Sequence, residues 1–333
     1  MIRKILILMT MTVAMLFSCT EATEDNESKE ITANNVVQKI SELSDGTHTI
    51  KLTGDIDSST LANIKKVMNK NLNVHIALDL SQTTGLTSVE QDAFLLCPSL
   101  ISVILPDSVT SIEKYAFQFS RNLTSITIPD SVTSIDASAF ACCSGLTEFN
   151  IGTDNKNFST SDDGKILLSK DKKTLIAYPS ATGDFTIPEY IASIGESAFL
   201  NNEKLTSVII PDNVTEIGER AFMWCDLTNA TIGSGMRVIK GDLFFNCVNL
   251  IKVVISDGVT AIDESVFNLC ENLTSIVFPD SLTFISKDAF GKCDKLTTVN
   301  YKGTQEQWEQ INIEDYDNSC LKNATINYEY IGE

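Results

Sequence analysis

Phenylalanine recurs through most of this chain at a nearly fixed interval: Phe94, Phe117, Phe140, Phe199, Phe222, Phe244, Phe267 and Phe290. Five of the seven intervals are 23 residues, one is 22 and one is 59. A unit this short cannot bury its own apolar face, so the chain gains a core only by stacking each unit on its neighbours. The clearest unit is Asn122-Leu-Thr-Ser-Ile-Thr-Ile-Pro-Asp-Ser-Val-Thr-Ser-Ile-Asp-Ala-Ser-Ala-Phe140, and residues 272–290 repeat it with few changes. Leu123, Ile126 and Ile128 have the L-x-x-L-x-L spacing of a short strand with alternate side chains inward. Pro129 and Asp130 then turn the chain. Val132 and Ile135 form a second inward pair, and Ala139-Phe140 is expected to begin a short helical turn.

The 59-residue interval places a 36-residue insertion between the equivalent strand residues Ile151 and Ile187. Within the insertion, about 152–186, Lys165-Ile-Leu-Leu and Thr174-Leu-Ile-Ala flank the polar turn Ser169–Lys173, the pattern of a β-hairpin. Residues 31–80 do not repeat. Val36, Val37, Ile40 and Leu43 have helical spacing, as do Leu61, Ile64, Lys65 and Met68, while His48–Leu52 and Val74–Leu80 read as strands. This is an α/β cap, which an array needs to cover its first coil. The array proper occupies 81–300, and residues 301–333 read as a closing helix and strand.

The N-terminus reads as an export signal at residues 1–18. Arg3 and Lys4 precede an apolar run from Ile5 to Phe17, shorter than the ~20 residues a membrane-spanning helix needs. Leu16-Phe17-Ser18-Cys19 resembles a bacterial lipobox, which makes Cys19 the expected site of acylation; the alternative is an ordinary signal peptide. Residues 19–30 are rich in carboxylates without apolar periodicity, a flexible tether. Removing 1–18 leaves 23 basic against 44 acidic side chains, a net charge of −21. Such a surface repels phosphate backbones, and nucleic acid is excluded as a partner.

Nine cysteines in an exported chain ordinarily suggest disulfides. However, Cys97, Cys143, Cys225, Cys247, Cys270 and Cys293 each follow the repeat phenylalanine by three residues, so they form one column. Side chains in a column point in parallel, and the column reads as small buried reduced thiols packing as hydrophobes. Cys142 and Cys320 fall outside it. The two histidines, His48 and His75, lie in the cap, away from any nucleophile elbow or H-E-x-x-H helix. Asp154, Asn155, Asp162 and Asp163 in the insertion invite a calcium reading, but EF-type spacing is lacking and turn chemistry accounts for them. No catalytic residue, metal ligand or cofactor is expected. One row stands out: between the last two inward strand residues each coil exposes one side chain, giving Ile104, Thr127, Asn150, Ile209, Thr231, Val254, Val277 and Asn300. Half of them are apolar, which makes Ile104, Thr127, Ile209, Val254 and Val277 the candidate partner contacts; the blander and favoured account of the row is β-propensity on a half-exposed strand.

The unit L-T-S-I-x-I-P-D-S-V-T-S-I-x-x-x-A-F-x-x-C resembles the repeat of the BspA-like leucine-rich proteins of bacterial surfaces over roughly residues 80–300, and Gly303–Trp308 is similar to that family's closing element. The resemblance implies a leucine-rich-repeat solenoid of the α/β class and a non-enzymatic role in adhesion to protein or glycan partners. Here Pro-Asp follows the strand where ordinary leucine-rich repeats have N/C-x-L, so horseshoe curvature and a concave binding face are not carried over. The expectation is a monomeric, extracytoplasmic lipoprotein of the outer membrane facing the exterior and touching the membrane only through its anchor. The alternative is a structural spacer or accessory subunit of an envelope complex.

Overall fold

The computed structural model describes residues 30–332, so the export signal expected at residues 1–18, Cys19 and nearly all of the expected tether lie outside the described residues. The chain enters through helix α1 (Val36–Ser41), strand β1 (Gly46–Asp55), helix α2 (Ser58–Met68) and strand β2 (Val74–Thr84). Helix α2 starts where the sequence supplies an N-cap: the Asp57 carboxylate accepts the Thr60 backbone N–H at 2.8 Å. Hydrogen bonds from Ser59 and Thr60 hold that carboxyl down to about 2. Leu61, Ile64 and Met68 form the buried face of α2, and Val74, Ile76, Leu78 and Leu80 the buried side of β2. The cap shares the core of the first coils, since Val36, Leu61 and Leu78 belong to one apolar cluster with Phe94, Phe117 and Phe140.

From β2 onward each coil adds one strand to a parallel ladder. The pairing Ser125↔Ser102 and Glu148↔Ser125 shows each residue stacked on its counterpart one repeat earlier. The ladder forms a five-stranded sheet running from β1 to strand Glu148–Ile151 and, after the insertion, a seven-stranded sheet from Gly183–Thr186 to Thr325–Asn327. The inward pair after the Pro-Asp turn makes a second ladder of two-residue strands, such as Ser111–Ile112 against Ser134–Ile135.

The expected helical turn at the phenylalanine is absent. The Phe117 amide donates to Ala139 O at 2.9 Å and the Phe244 amide to Val266 O at 2.9 Å, both in the next coil and not four residues back. The cause is local: the residues two before and two after the phenylalanine sit in the left-handed region, as at Tyr115 (φ 59°) and Phe119 (φ 59°) or Ser265 (φ 61°) and Leu269 (φ 62°). A non-glycine residue in that conformation interrupts a right-handed helix at a cost of about 1–2 kcal/mol. Intercoil hydrogen bonds and the aromatic column hold the strained turns in place.

That column is continuous within each half of the molecule. Ring centroids are 5.4 Å apart for Phe94–Phe117 and 5.5 Å for Phe117–Phe140. They are 4.8, 5.5, 5.6 and 5.1 Å apart from Phe199 through Phe222, Phe244 and Phe267 to Phe290. Between the halves stands the insertion, which contains the expected hairpin and one strand more. Phe158–Thr160 pairs antiparallel with Leu167–Ser169, which pairs antiparallel with Thr174–Ala177, and the last of these joins the second ladder. Successive strand residues face opposite sides, and a register shift between Leu167 and Leu168 sets Leu175 rather than Ile176 opposite Leu168. Leu167 and Ala177 therefore pack into the N-terminal core, Leu168 and Leu175 into the C-terminal core. The insertion is a septum with an apolar surface on both faces. Phe149 meets Phe140 edge-on at 5.3 Å on one side, and Tyr178 lies 5.9 Å from Phe199 on the other.

The cysteine column is built into this frame. Cys143, Cys225, Cys247, Cys270 and Cys293 are buried, and each thiol donates to the carbonyl of the preceding coil's phenylalanine at 2.9–3.2 Å. Ser120 takes the same place in its coil, its hydroxyl 2.7 Å from Phe94 O. Cys320, which the sequence pattern left outside the column, extends it: its thiol lies 3.6 Å from Phe290 O. Cys142 does stand apart, buried beside Ala141 and Leu200 on the outer side of the turns. All eight described cysteines are unpaired thiols. Desolvation pushes Cys97 and Cys142 up to about 12 and Cys320 to about 11, and raises the fully buried column thiols as well.

Two outcomes follow. Phe244→Ala removes a ring packed between two others and is expected to cost about 3–5 kcal/mol, measured by denaturant unfolding of the C-terminal half. The thiols should resist alkylation at neutral pH until the protein is unfolded. A thiol pKa raised in the folded state favours the folded state below the ordinary thiol range and ceases to do so as pH rises through the folded value. Stability should therefore decline from about pH 9 toward 11 and above, and a Cys247→Ala variant should show a shallower decline in the same titration.

Candidate binding surface

The exposed row anticipated from the sequence is real as a ladder but not uniform as a surface. Ile104, Thr127 and Asn150 stack in the first sheet. Ile209, Thr231, Val254, Val277 and Asn300 stack in the second. The septum separates the two groups. Ile209 is 47% exposed and Ile104 37%, whereas Thr127, Thr231 and Val254 are half-buried. Val277 is fully buried and Asn300 nearly so, which removes Val277 from the exposed contacts. The reason lies at the C-terminus. After strand Thr325–Asn327 the chain turns back, Glu329 donating its N–H to Gly303 O at 2.9 Å and Tyr330 to Tyr301 O at 3.0 Å. Tyr330, Ile331 and Gly332 then border the same cavity as Thr231 and Val254. The terminal segment thus lies against the end of the row that holds Val277.

Two adjoining cavities make a groove along the second sheet, of about 450 Å³ and 840 Å³, with Thr231 and Ser256 bordering both. Its position follows from departures from the repeat. Most coils place proline after the last inward strand residue, as at Pro106, Pro129, Pro188, Pro211 and Pro279, but three C-terminal coils have Gly233, Ser256 and Lys302 there. All three residues border the groove. At Gly233 a side chain has no room at all, since a Cβ would lie 2.5 Å from the Pro211 carbonyl carbon and 2.7 Å from the Asp212 nitrogen. The first cavity is walled by Pro211, Asp212 and Gly233 over a floor of Ile209 and Thr231. The second has Val254 on its floor, with Lys252, Lys302 and Tyr330 around it.

Sequence reasoning missed several of these residues. Thr186 occupies the row one coil before Ile209, hidden by the insertion. Asp79 precedes Ile104, and Lys51 precedes Asp79, an exposed lysine 3.9 Å from a half-buried carboxylate; the Leu78-Asp79-Leu80 alternation carried that signal. Lys252, Lys302 and Tyr330 fall outside the row, and only the loss of proline at position 302 pointed toward them.

The residues considered for calcium do not converge. Asn155 is buried and spent on the backbone: its amide donates to Pro129 O and Val132 O, each at 3.0 Å, and its oxygen accepts from the Asn157 and Phe158 amides. Asp163 binds Ser161 and Lys165, and Asp162 lies 3.5 Å from Lys172. Among the described residues no group of three or more metal-ligating side chains is present, and no helix is long and apolar enough to cross a membrane.

Residues 56–162 and 178–297 match, in six copies, the family described as BspA type leucine rich repeat region. A leucine rich cell surface protein from Faecalibacterium prausnitzii is 28% identical, with a TM-score of 0.61 over 80% of this chain and 86% of that one. The pneumococcal vaccine antigen PcpA shares the fold at 19% identity and a TM-score of 0.56, over 84% of this chain and 80% of its own. No curated protein matches the sequence significantly. With the family pattern covering most of the chain and the stacked coils seen directly, this protein belongs to the BspA-type leucine-rich-repeat family.

Proposed function

We propose that the protein is a non-enzymatic binding lipoprotein, held at the cell exterior by Cys19 and capturing a partner protein on its strand face. The observation that carries this reading is the exposed row of that face, where Ile104 stands open in the first sheet and Ile209 borders the groove of the second, in a family of surface repeat proteins. A stack of coils offers an extended, shallow surface suited to macromolecules. An exposed isoleucine on such a face gains by being covered, and residues of this kind dominate binding when they sit centrally in a contact. The anchor rests on Leu16-Phe17-Ser18-Cys19 behind a short apolar run, and the acidic tether would hold the array clear of an anionic membrane surface.

Intact cells treated with a protease should lose the protein; survival until the outer membrane is broken would instead favour the spacer role. Cells carrying Ile104→Lys and Ile209→Lys are expected to capture about tenfold less of their partner from matrix and envelope extracts, with the protein's abundance unchanged. Equal capture would remove the strand face from consideration. By contrast, Val277→Lys buries an uncompensated charge and should cost about 3 kcal/mol of stability or more, read by thermal unfolding.

A further inference from the structure

The C-terminal end of the groove carries two ammonium groups in a molecule that is acidic overall. The chain carries 44 acidic against 25 basic side chains, yet among the described residues the charged side chains lining the 840 Å³ cavity are Lys252 and Lys302. Lys302 arrives there because the last coil has lysine where others have proline, and it lies 3.1 Å from Asp257, itself 67% exposed. An exposed ion pair contributes only about 0–1 kcal/mol, so an incoming anion exchanges with Asp257 at little cost. The remaining wall supplies two hydroxyls, Thr231 and Ser256, and the ring of Tyr330. The volume lies within the range of sites that hold small organic ligands, roughly 300–1,000 Å³.

We propose that this cavity binds an anionic glycan, with an acidic sugar ring over Tyr330, its anionic group between Lys252 and Lys302, and its hydroxyls toward Thr231 and Ser256. An acidic peptide fits less well. Extended peptides gain affinity by adding to a free sheet edge, and strands Asn229–Ile232, Lys252–Ile255 and Ser275–Phe278 are each paired on both sides. Nor does the floor offer a deep apolar pocket for a side-chain anchor: Val253 and Ile255 face the core, and half-buried Val254 alone faces the cavity. An acidic sugar needs a shallow platform, a few hydroxyl partners and positive charge, which the cavity has together. The site shares the strand face with the proposed protein contact, and Ile104, which lies in the other sheet, is the contact residue that distinguishes the two.

The test uses the full chain purified in detergent and titrated calorimetrically with hyaluronan oligosaccharides, chondroitin sulfate oligosaccharides, neutral dextran oligosaccharides and poly-glutamate. Binding of at least one acidic sugar is expected, with none to dextran and an affinity that falls as salt rises. The hyaluronan and chondroitin sulfate arms separate carboxylate from sulfate recognition. The paired substitution Lys252→Ala, Lys302→Ala should weaken that binding at least tenfold, and Tyr330→Ala should weaken it separately, with unfolding temperatures confirming intact folds. Ile104→Lys should leave it unchanged even where it abolishes protein capture. The proposal is overturned if neither acidic sugar binds, if the lysine pair can be removed without effect, or if poly-glutamate alone binds with the same lysine dependence.

Discussion

Everything in this molecule depends on one constraint: a coil of about 23 residues has no interior until another coil lies against it. The phenylalanine rings meet this demand most directly, at 4.8–5.6 Å from the next within each half. Their amides bond forward to the next coil and the thiols three residues on bond back to the previous one. Each coil is therefore tied in both directions by the same short segment. This is why large residues such as Leu96, Tyr115 and Trp224 are held at positive φ. The local cost is offset by contacts that exist only in the stack.

The septum obeys the same constraint from the other side. An insertion into such an array leaves two open ends, each exposing a core. Here one hairpin covers both, because neighbouring strand residues such as Leu167 and Leu168 face opposite cores. The exposed ion pair between Arg121 and Glu203, at 3.1 Å, spans the same division on the outer side. The two halves thus have separate aromatic columns while the chain from Ile31 onward stays one compact unit.

Features that repeat could be read from the sequence, because a column in space is a period along the chain. The phenylalanines, the buried cysteines from Cys143 to Cys293, the outward row and the hairpin all followed from spacing. What failed was conformation inside the unit: Ala-Phe, as at Ala116-Phe117, looks like a helix start, and only the backbone shows that residues at positive φ such as Tyr115 and Phe119 flank it while the Phe117 and Phe119 amides bond to the next coil. Residues brought in from outside the repeat were equally hidden. Cys320 joins the thiol column from the closing segment, and Val277 is buried at the end of the row where the terminal residues fold back, although by period it matches the exposed Ile209.

The positions that break the pattern are where the surface becomes specific. A solenoid distributes its stability over many nearly equivalent interfaces, so one coil can depart from the consensus without loss of the whole. The proline after the inward strand fixes a turn and fills the space beside it, and every coil that keeps it presents much the same wall. The groove lies where Gly233 and Ser256 replace it, and where Lys302 replaces it a cation borders that groove. Gly233 cannot revert even to alanine without striking the preceding coil's backbone, which ties the opening to close stacking on that side. In such a protein the consensus describes the scaffold, and exceptions at corresponding positions of successive coils mark the place to look for a ligand.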